Sequence, residues 1–338
     1  MVSDIDIDNE EESKNENDFD SKSINQNSDG DNDIIEEEEE NESIFDSQIL
    51  NVNFANARNE GELNIEDALN GPEGEFWKKA MKDEYNSIKS NENPIKLVDK
   101  KKEQNIIDSK WILKIKKEGD GTKRYKARLV IRGFKQKKNY KAYETYAPVA
   151  KIAIVRLLLA VANKFKLKVH QYDVKTAFLN GELGEEEIYM EIPRGFTEEE
   201  KYKEKKVIQL KRALYGLKIS PKKWNERFAR AMKEIGVQRD PAELCAYYWK
   251  KNKDFALLVI YVDDILITST NEFLLKIKEG LEKNFTMTYM GEPKKYLGIQ
   301  IERYKEQLFM HQCEYTVDLL KKYKFGKEKV KEMPMSPC

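Results

Sequence analysis

Two adjacent aspartates between apolar runs constrain the fold of this chain most strongly. Tyr261-Val262-Asp263-Asp264 separates the apolar run 255–260 from a second run, 265–267. Both runs are rich in β-branched residues, which predicts two buried strands joined by a hairpin turn. Ionised carboxylates beside a core are costly unless a cation compensates for them. The turn is therefore a candidate site for a divalent metal. An ordinary solvated turn, where Asp is common, is the alternative.

The charge of the chain is divided between two regions, although its net value over 338 residues is only −1. Residues 1–75 hold 25 Asp and Glu against 3 Lys and Arg, whereas residues 76–338 hold 36 acidic and 57 basic residues. The acidic region has few aromatic residues and includes the run Glu36–Glu40, so we expect residues 1–62 to be disordered. The basic remainder suits a folded domain that binds a polyanion.

Several classes of protein are disfavoured by the composition. Cys245, Cys313 and Cys338 lack the spacing of metal ligands, and His170 and His311 are the only histidines. Structural zinc is therefore not expected, and the cysteines fit a reducing, intracellular setting. No apolar run approaches the roughly 18 residues of a membrane span, and the acidic start is unlike a signal peptide. A membrane partner is not expected.

Hydrophobic periodicity predicts an α+β fold, in which helices back an antiparallel sheet and leave its other face free for a groove. Helical patterns occupy residues 64–90, 152–165, 222–235, 273–285 and 315–323. Strand patterns occupy residues 111–115, 125–131, 169–174, 296–301 and 308–311, besides the two around the paired aspartates.

A second predicted hairpin carries positive charge on one face. Its turn is Gly119-Asp120-Gly121, and alternation along the second strand places Lys126, Arg128 and Arg132 together. Ala127, Leu129 and Ile131 then share the opposite face. Such a hairpin is able to hold a triphosphate or a template strand, and a solvated edge hairpin is the alternative.

Asp173 is a third candidate carboxylate, at the end of the strand 169–174. If that strand lies beside the paired aspartates, Asp173 and Asp263 meet in one site. Two metal ions roughly 4 Å apart would there activate a 3′-hydroxyl and stabilise the leaving pyrophosphate. The sequence spacing alone does not establish that the strands are neighbours.

Six blocks, in order, resemble the reverse transcriptases of Ty1/copia-type retrotransposons. The resemblance runs from about Phe76 to Met335. The blocks are Tyr125–Phe134, Thr145–Ala150, Gln171–Gly181, Leu214–Lys218 with Pro221 and Trp224, Tyr261–Asp264, and Tyr296–Ile299. The resemblance implies a right-hand polymerase with fingers and palm, and an RNA-directed DNA polymerase activity. It also implies a template with primer (RNA or DNA) and deoxynucleotides as partners.

The resemblance assigns a role to each matching residue. Asp173 and Asp263 would bind two Mg²⁺ ions, or Mn²⁺ as the alternative, with Asp264 in support. Phe178 would exclude the 2′-hydroxyl of a ribonucleotide, although a core aromatic is the ordinary role for Phe. The further expected contacts with nucleotide or template are Lys126, Arg128, Tyr215, Gly216 and Lys218. Leu297 and Gly298 would belong to a hairpin that grips the primer, although Leu-Gly pairs also form ordinary hairpins.

Domain boundaries follow from the same comparison. We expect a fingers and palm domain over residues 63–325 and a tail over residues 326–338 that begins a truncated or minimal thumb. Protease, integrase and ribonuclease H signatures are not found. The block around Asn93 lacks the tryptophan of the family, and Asn139 replaces its usual aspartate.

Truncation is expected to weaken the enzyme, and a remnant that binds nucleic acid without polymerising is the alternative function. Competition of the acidic segment with nucleic acid for the basic domain is a further hypothesis, beside a simple spacer. Family members work in cytoplasmic virus-like particles, so we expect a cytoplasmic location, with the nucleus as the alternative.

Overall fold

The computed structural model describes residues 64–90, 94–117, 121–270 and 272–325. The predicted acidic segment 1–62 and the predicted tail 326–338 lie outside these residues. The helices, in chain order, are α1 (Ile65–Asn70), α2 (Gly74–Lys89), α3 (Ala142–Thr145), α4 (Ile152–Lys164), α5 (Thr197–Glu200), α6 (Ser220–Ile235), α7 (Phe273–Asn284) and α8 (Cys313–Lys322).

The strands form four sheets in the described part of the chain, and the mixed α+β prediction is confirmed. Their bounds are β1 (Ile95–Asp99), β2 (Ile106–Ile107), β3 (Ser109–Lys117), β4 (Lys123–Ile131), β5 (Val169–Val174), β6 (Ile188–Met190), β7 (Lys206–Leu210), β8 (Gln238–Arg239), β9 (Ala246–Lys251), β10 (Asp254–Tyr261), β11 (Asp264–Ser269), β12 (Met287–Gly291), β13 (Lys295–Tyr296), β14 (Ile299–Tyr304) and β15 (Gln307–His311).

The largest sheet is antiparallel and has the strand order β12-β5-β11-β10-β9-β8. Its centre is the hairpin of β10 and β11, in which Leu258 pairs with Ile267. Ile265, Leu266 and Ile267 are fully buried, because neighbouring elements cover both faces of this strand. Strand β5 pairs with β11, so the two strand patterns that carry aspartates are neighbours.

Helices α6 and α7 pack on the face of this sheet that carries Tyr247 and Trp249. Phe228 of α6 contacts Tyr247 edge-on at 5.5 Å, and Phe273 of α7 stacks on Trp249 at 3.9 Å. Register places Tyr247 on the same face as Leu258 and Ile267. Ile267 and Asp264 are an odd number of positions apart, so Asp264 points to the opposite face. The helices thus leave the carboxylate side accessible at this end of the sheet.

The sequence patterns missed a four-stranded sheet with the order β1-β7-β6-β2. Its strands have two to five residues, too few for a clear alternation of apolar and polar side chains. Strand β2 also pairs in parallel with the distant β6, a long-range contact that no local signal reveals.

Three local predictions need correction. The helical pattern 64–90 is two helices, because Gly71 and Pro72 interrupt it and Pro cannot continue a helix. The strand predicted over 296–301 is broken, since Leu297 and Gly298 form the turn between β13 and β14. Arg132 follows the last residue of β4, and its guanidinium pairs with Asp108 at 2.5 Å.

The predicted hairpin of β3 and β4 forms, and its apolar face is buried. Gly119 and Asp120 of its predicted turn lie outside the described residues. Ala127, Leu129 and Ile131 are 3%, 0% and 2% exposed. Tyr125 lies between Phe76 and Trp77 of α2, stacked on the first at 5.0 Å and edge-on to the second at 4.8 Å. Helix α2 therefore supports the hairpin along its length.

The end of β4 docks backbone against backbone on the segment that precedes α6. The Ile131 amide donates to the Tyr215 carbonyl at 2.8 Å. A Cβ atom at Gly216 would lie 2.0 Å from the Ile131 oxygen, and one at Gly133 would lie 2.1 Å from the Gly216 oxygen. Both glycines are therefore required for this close approach.

Among the residues that the structure describes, none of the helices combines the length and the hydrophobicity that crossing a bilayer requires.

We expect Gly216→Ala to lower the free energy of unfolding by more than about 2 kcal/mol, since it adds the clash with Ile131 to the cost of a positive φ. The matched control is Gly236→Ala, because Gly236 has a similar φ of 90° but open space around its Cα. Gly236→Ala should lower the free energy of unfolding by only about 1 kcal/mol. Urea unfolding followed by circular dichroism measures both, and equal losses would contradict the packing argument.

Candidate active site

Three aspartates from two separate strand patterns lie together at the end of the large sheet. Asp173 of β5 is the direct cross-strand partner of Asp264 on β11. Asp263 occupies the turn before β11, and its carbonyl accepts a hydrogen bond from the Val174 amide at 2.8 Å. The topology thus brings the three predicted carboxylates into one cluster.

Burial and repulsion between carboxylates disfavour ionisation of Asp173 and Asp264. Burial, followed by the charge of Asp263, raises the pKa of Asp264 to about 6. The same two causes, in the same order, raise the pKa of Asp173. The Gln171 side-chain amide donates to Asp264 at 3.3 Å and opposes the rise in the pKa of Asp264.

Oxygen ligands of this kind suit a hard divalent cation, which would neutralise carboxylates that already repel one another. Within the described ranges, no group of three or more His, Cys, Asp or Glu side chains is arranged so that it could hold a metal ion. Magnesium or manganese therefore stays a prediction, supported by the oxygen donors of the aspartates and not by their arrangement.

Strand β4 presents its cationic face to these aspartates. Lys126 is half-buried, and its pKa is lowered by burial and then by the neighbouring charges of Arg128 and Lys116. Asp173 and Asp263 act in the opposite direction and favour the charged lysine. The predicted face of Lys126 and Arg128 is thus electrostatically coupled to the carboxylate cluster.

An aromatic pair connects the cationic strand to the segment that follows Asp173. Phe178 follows β5 in a short 3-10 helix (Ala177–Asn180) and contacts Tyr215 edge-on, with ring centroids 4.7 Å apart. The Arg128 guanidinium lies 5.5 Å from the Tyr215 ring centroid. Phe178 is only 7% exposed, so it also belongs to the main core.

For the remaining predicted residues, Lys218, Leu297 and Gly298, the structure shows mainly backbone contacts and backbone conformation. The Lys218 amide donates to the Gln136 side chain at 3.2 Å, and the Lys218 residue is exposed. Leu297 and Gly298 have φ values of 48° and 81° in their turn. That turn adjoins the cluster, because the neighbouring Tyr296 hydroxyl donates to the Asp264 carbonyl at 3.2 Å.

Two supporting residues were missed by reasoning from sequence. The Trp224 indole N–H donates to the Val262 carbonyl at 2.6 Å. The Glu84 carboxylate accepts from the Leu129 amide at 3.3 Å on the outer edge of β4, and burial raises the pKa of Glu84. Trp224 stood within a recognised block, but neither contact has a signal in the sequence.

Comparison with known proteins identifies the family of this chain. A profile of the family described as reverse transcriptase (RNA-dependent DNA polymerase) matches residues 92–337. The chain belongs to this reverse transcriptase family. The resemblance to Ty1/copia-type elements is confirmed by relatives that are Pol polyproteins of transposons.

The "Retrovirus-related Pol polyprotein from transposon TNT 1-94" of Nicotiana tabacum is 38% identical over 80% of this chain. The corresponding polyprotein from transposon RE1 of Arabidopsis thaliana is 31% identical, also over 80%. The reverse transcriptase chain spans only 21% and 18% of these two relatives.

A solved foamy viral protease-reverse transcriptase, in complex with double-stranded DNA, is 12% identical with a TM-score of 0.33. The likeness covers 69% of this chain and 34% of that chain. A likeness this low has no bearing on the fold or the ligands of the present reverse transcriptase.

Asp264→Asn should stabilise this reverse transcriptase at pH 7.5 in the presence of a chelator. Because the folded state raises the pKa of Asp264 from 3.8 to about 6, ionisation above pH 6 destabilises the fold. This destabilisation disappears as the pH falls towards 4, because Asp264 becomes protonated in the folded state. We expect a gain of about 1–2 kcal/mol at pH 7.5, a value reduced for solvent screening of a half-buried group, and a much smaller gain near pH 4.

Urea unfolding at the two pH values measures this difference. The control is Asp83→Asn, which changes an exposed carboxylate on α2 and should give no gain. A loss of stability in Asp264→Asn at pH 7.5 would contradict the predicted repulsion.

Proposed function

We propose that the chain is an RNA-directed DNA polymerase domain that extends a primer with deoxynucleotides. The observation that carries the proposal is the cluster of Asp173, Asp263 and Asp264 opposite the cationic face of β4. A triphosphate between them would meet lysine and arginine on one side and a metal-binding site on the other. Membership of the reverse transcriptase family supports the same reaction.

The sheets correspond to the subdomains of a polymerase in this proposal. The six-stranded sheet with α6 and α7 would be the palm, because it carries the carboxylates. The hairpin of β3 and β4, supported by α2, would belong to the fingers. The hairpin of β14 and β15 with the turn at Leu297 and Gly298 would hold the primer, since Tyr296 links it to Asp264.

Asp173 and Asp263 would hold two Mg²⁺ ions, or Mn²⁺, with Asp264 in support. When bound, such ions supply neutralisation of charge at the attacking 3′-hydroxyl and the leaving pyrophosphate. The residues of the chain supply positioning, which is the main source of catalysis in phosphoryl transfer. Lys126 and Arg128 would orient the triphosphate by charge-assisted hydrogen bonds.

Phe178 would distinguish deoxynucleotides from ribonucleotides in this arrangement. Its ring is fixed by the edge-on contact with Tyr215, one turn beyond Asp173. A ring that cannot retreat would clash with a 2′-hydroxyl. Tyr215 and Gly216 would lie beside the nascent base pair, and Lys218 beside the template.

The basic charge of residues 76–338 supports binding of an RNA or DNA template with its primer. A cytoplasmic location remains a prediction from the family resemblance.

Primer extension tests the proposal. The full chain with Mg²⁺, poly(rA)/oligo(dT) and dTTP should extend the primer, and Asp263→Asn should reduce extension at least about a hundredfold, because it removes charge at the reacting centre. The matched control is Asp254→Asn at the far end of β10, which should change extension less than about twofold.

Binding of the labelled duplex, measured by anisotropy across a salt series, separates polymerisation from binding alone. Equal extension by wild type and Asp263→Asn would refute the catalytic claim. Salt-sensitive binding without extension by the wild type would instead favour a remnant that only binds nucleic acid.

Phe178→Ala tests the proposed choice of sugar. The ratio of kcat/KM for dTTP to that for UTP should fall by about tenfold to a hundredfold, the range expected when one steric contact is removed. Phe228→Leu alters another buried ring of the same core and should leave the ratio unchanged. If Phe178→Ala slows both nucleotides equally, Phe178 acts only in the core.

A further inference from the structure

Asp263 is held at its backbone from two different directions. Trp224 of α6 donates its indole N–H to the Val262 carbonyl at 2.6 Å, on the N-terminal side of Asp263. The Val174 amide of β5 donates to the carbonyl of Asp263 itself at 2.8 Å. These two bonds fix the peptide planes on both sides of one Cα atom. The direction of the Asp263 side chain follows from those planes.

The turn at this point does not adopt its shape without support. Val262 has a φ of 56°, in the left-handed region, which is strained for a β-branched residue. Tyr261 and Asp264 are paired, so Val262 and Asp263 alone make the connection between β10 and β11. A strained conformation persists only where neighbouring contacts over-determine it.

Trp224 is itself rigidly placed. It is 3% exposed and packs edge-on against Phe285 at 5.1 Å, with Phe228 of the same helix 5.5 Å away. The helix begins with Pro221 in its first turn, and the Ser220 hydroxyl donates to the Leu214 carbonyl at 2.6 Å. The donor is therefore held in place before any ligand binds.

We propose that Trp224 is a positioning residue, which holds the strained Val262 turn and so aims the Asp263 carboxylate at the metal ions and the primer end. This inference rests on the proposed polymerase function. Trp224 touches neither substrate nor reacting atoms, and it acts only through the Val262 carbonyl. The size of its ring would account for the burial of Trp224 in the core. The short hydrogen bond to a strained turn gives the indole nitrogen a separate role.

Trp224→Phe in the full chain tests the role of the nitrogen, because it keeps an aromatic ring and removes the donor. We expect kcat for primer extension to fall on the order of tenfold, since small errors in the position of a reacting group are costly, with KM for dTTP within about twofold. Mn²⁺ alone, titrated against the protein by electron paramagnetic resonance, should bind several-fold more weakly.

Met232→Ala is the control for damage to the core of α6, because Met232 is fully buried on the same helix, two turns from Trp224. Its midpoint of thermal unfolding should fall, but it should retain wild-type kcat and Mn²⁺ affinity. A kcat for Trp224→Phe that equals that of Met232→Ala would overturn the inference.

The Mn²⁺ titration separates this inference from the proposed function. If the wild type extends no primer, the polymerase proposal fails, and a weaker affinity in Trp224→Phe still supports the positioning role. Equal Mn²⁺ affinities, or no Mn²⁺ binding by either protein, would overturn that role.

A second replacement covers the case in which Trp224→Phe does not fold. Benzothienylalanine at position 224 keeps the shape of the indole and replaces its N–H by sulphur. The same losses of kcat and Mn²⁺ affinity are expected from this protein, and wild-type values would overturn the inference.

Discussion

Electrostatic repulsion among three aspartates, opposed by the cations of the hairpin of β3 and β4, is the interaction on which the site depends. Asp173 and Asp264 are cross-strand partners, and Asp263 precedes Asp264 in the turn. Such a cluster is expensive in a partly dry environment, and Lys126 of β4 offsets part of its charge. Burial of the core offsets this electrostatic destabilisation, because the central residues of the strands beneath the cluster are fully buried. Positive charge brought by a ligand would lower this electrostatic cost.

The sequence predicted the structure correctly where apolar residues repeat regularly along a single strand or helix. Alternation along β4 correctly placed Ala127, Leu129 and Ile131 in the core, because a strand repeats every two residues. The helical pattern over residues 222–235 likewise located α6, whose buried face carries Trp224, Phe228 and Met232. The meeting of Asp173 with Asp263 did not follow from spacing, since it depends on which strands pair, and the family resemblance suggested it instead.

The sequence could not predict contacts between elements that are distant in the chain. The sheet of β1, β2, β6 and β7 was missed because its short strands are defined by their partners. Gly216 was expected to contact nucleotide or template, but the Ile131 carbonyl and a φ of 95° already require glycine there. The hydrogen bond from Trp224 to Val262 joins a helix to a turn, and neither pattern contains it.

The same backbone contact that requires Gly216 also joins the parts of the site into one unit. Ile131 ends the strand that bears Lys126 and Arg128, and its amide binds the Tyr215 carbonyl. Tyr215 in turn contacts Phe178, which follows Asp173 by five residues. The cationic strand, the aromatic pair and the first carboxylate are therefore connected through direct contacts. A change of position in the hairpin would therefore reach the aromatic pair through packed contacts. In the proposed polymerase it would affect both the choice of sugar and the binding of the triphosphate.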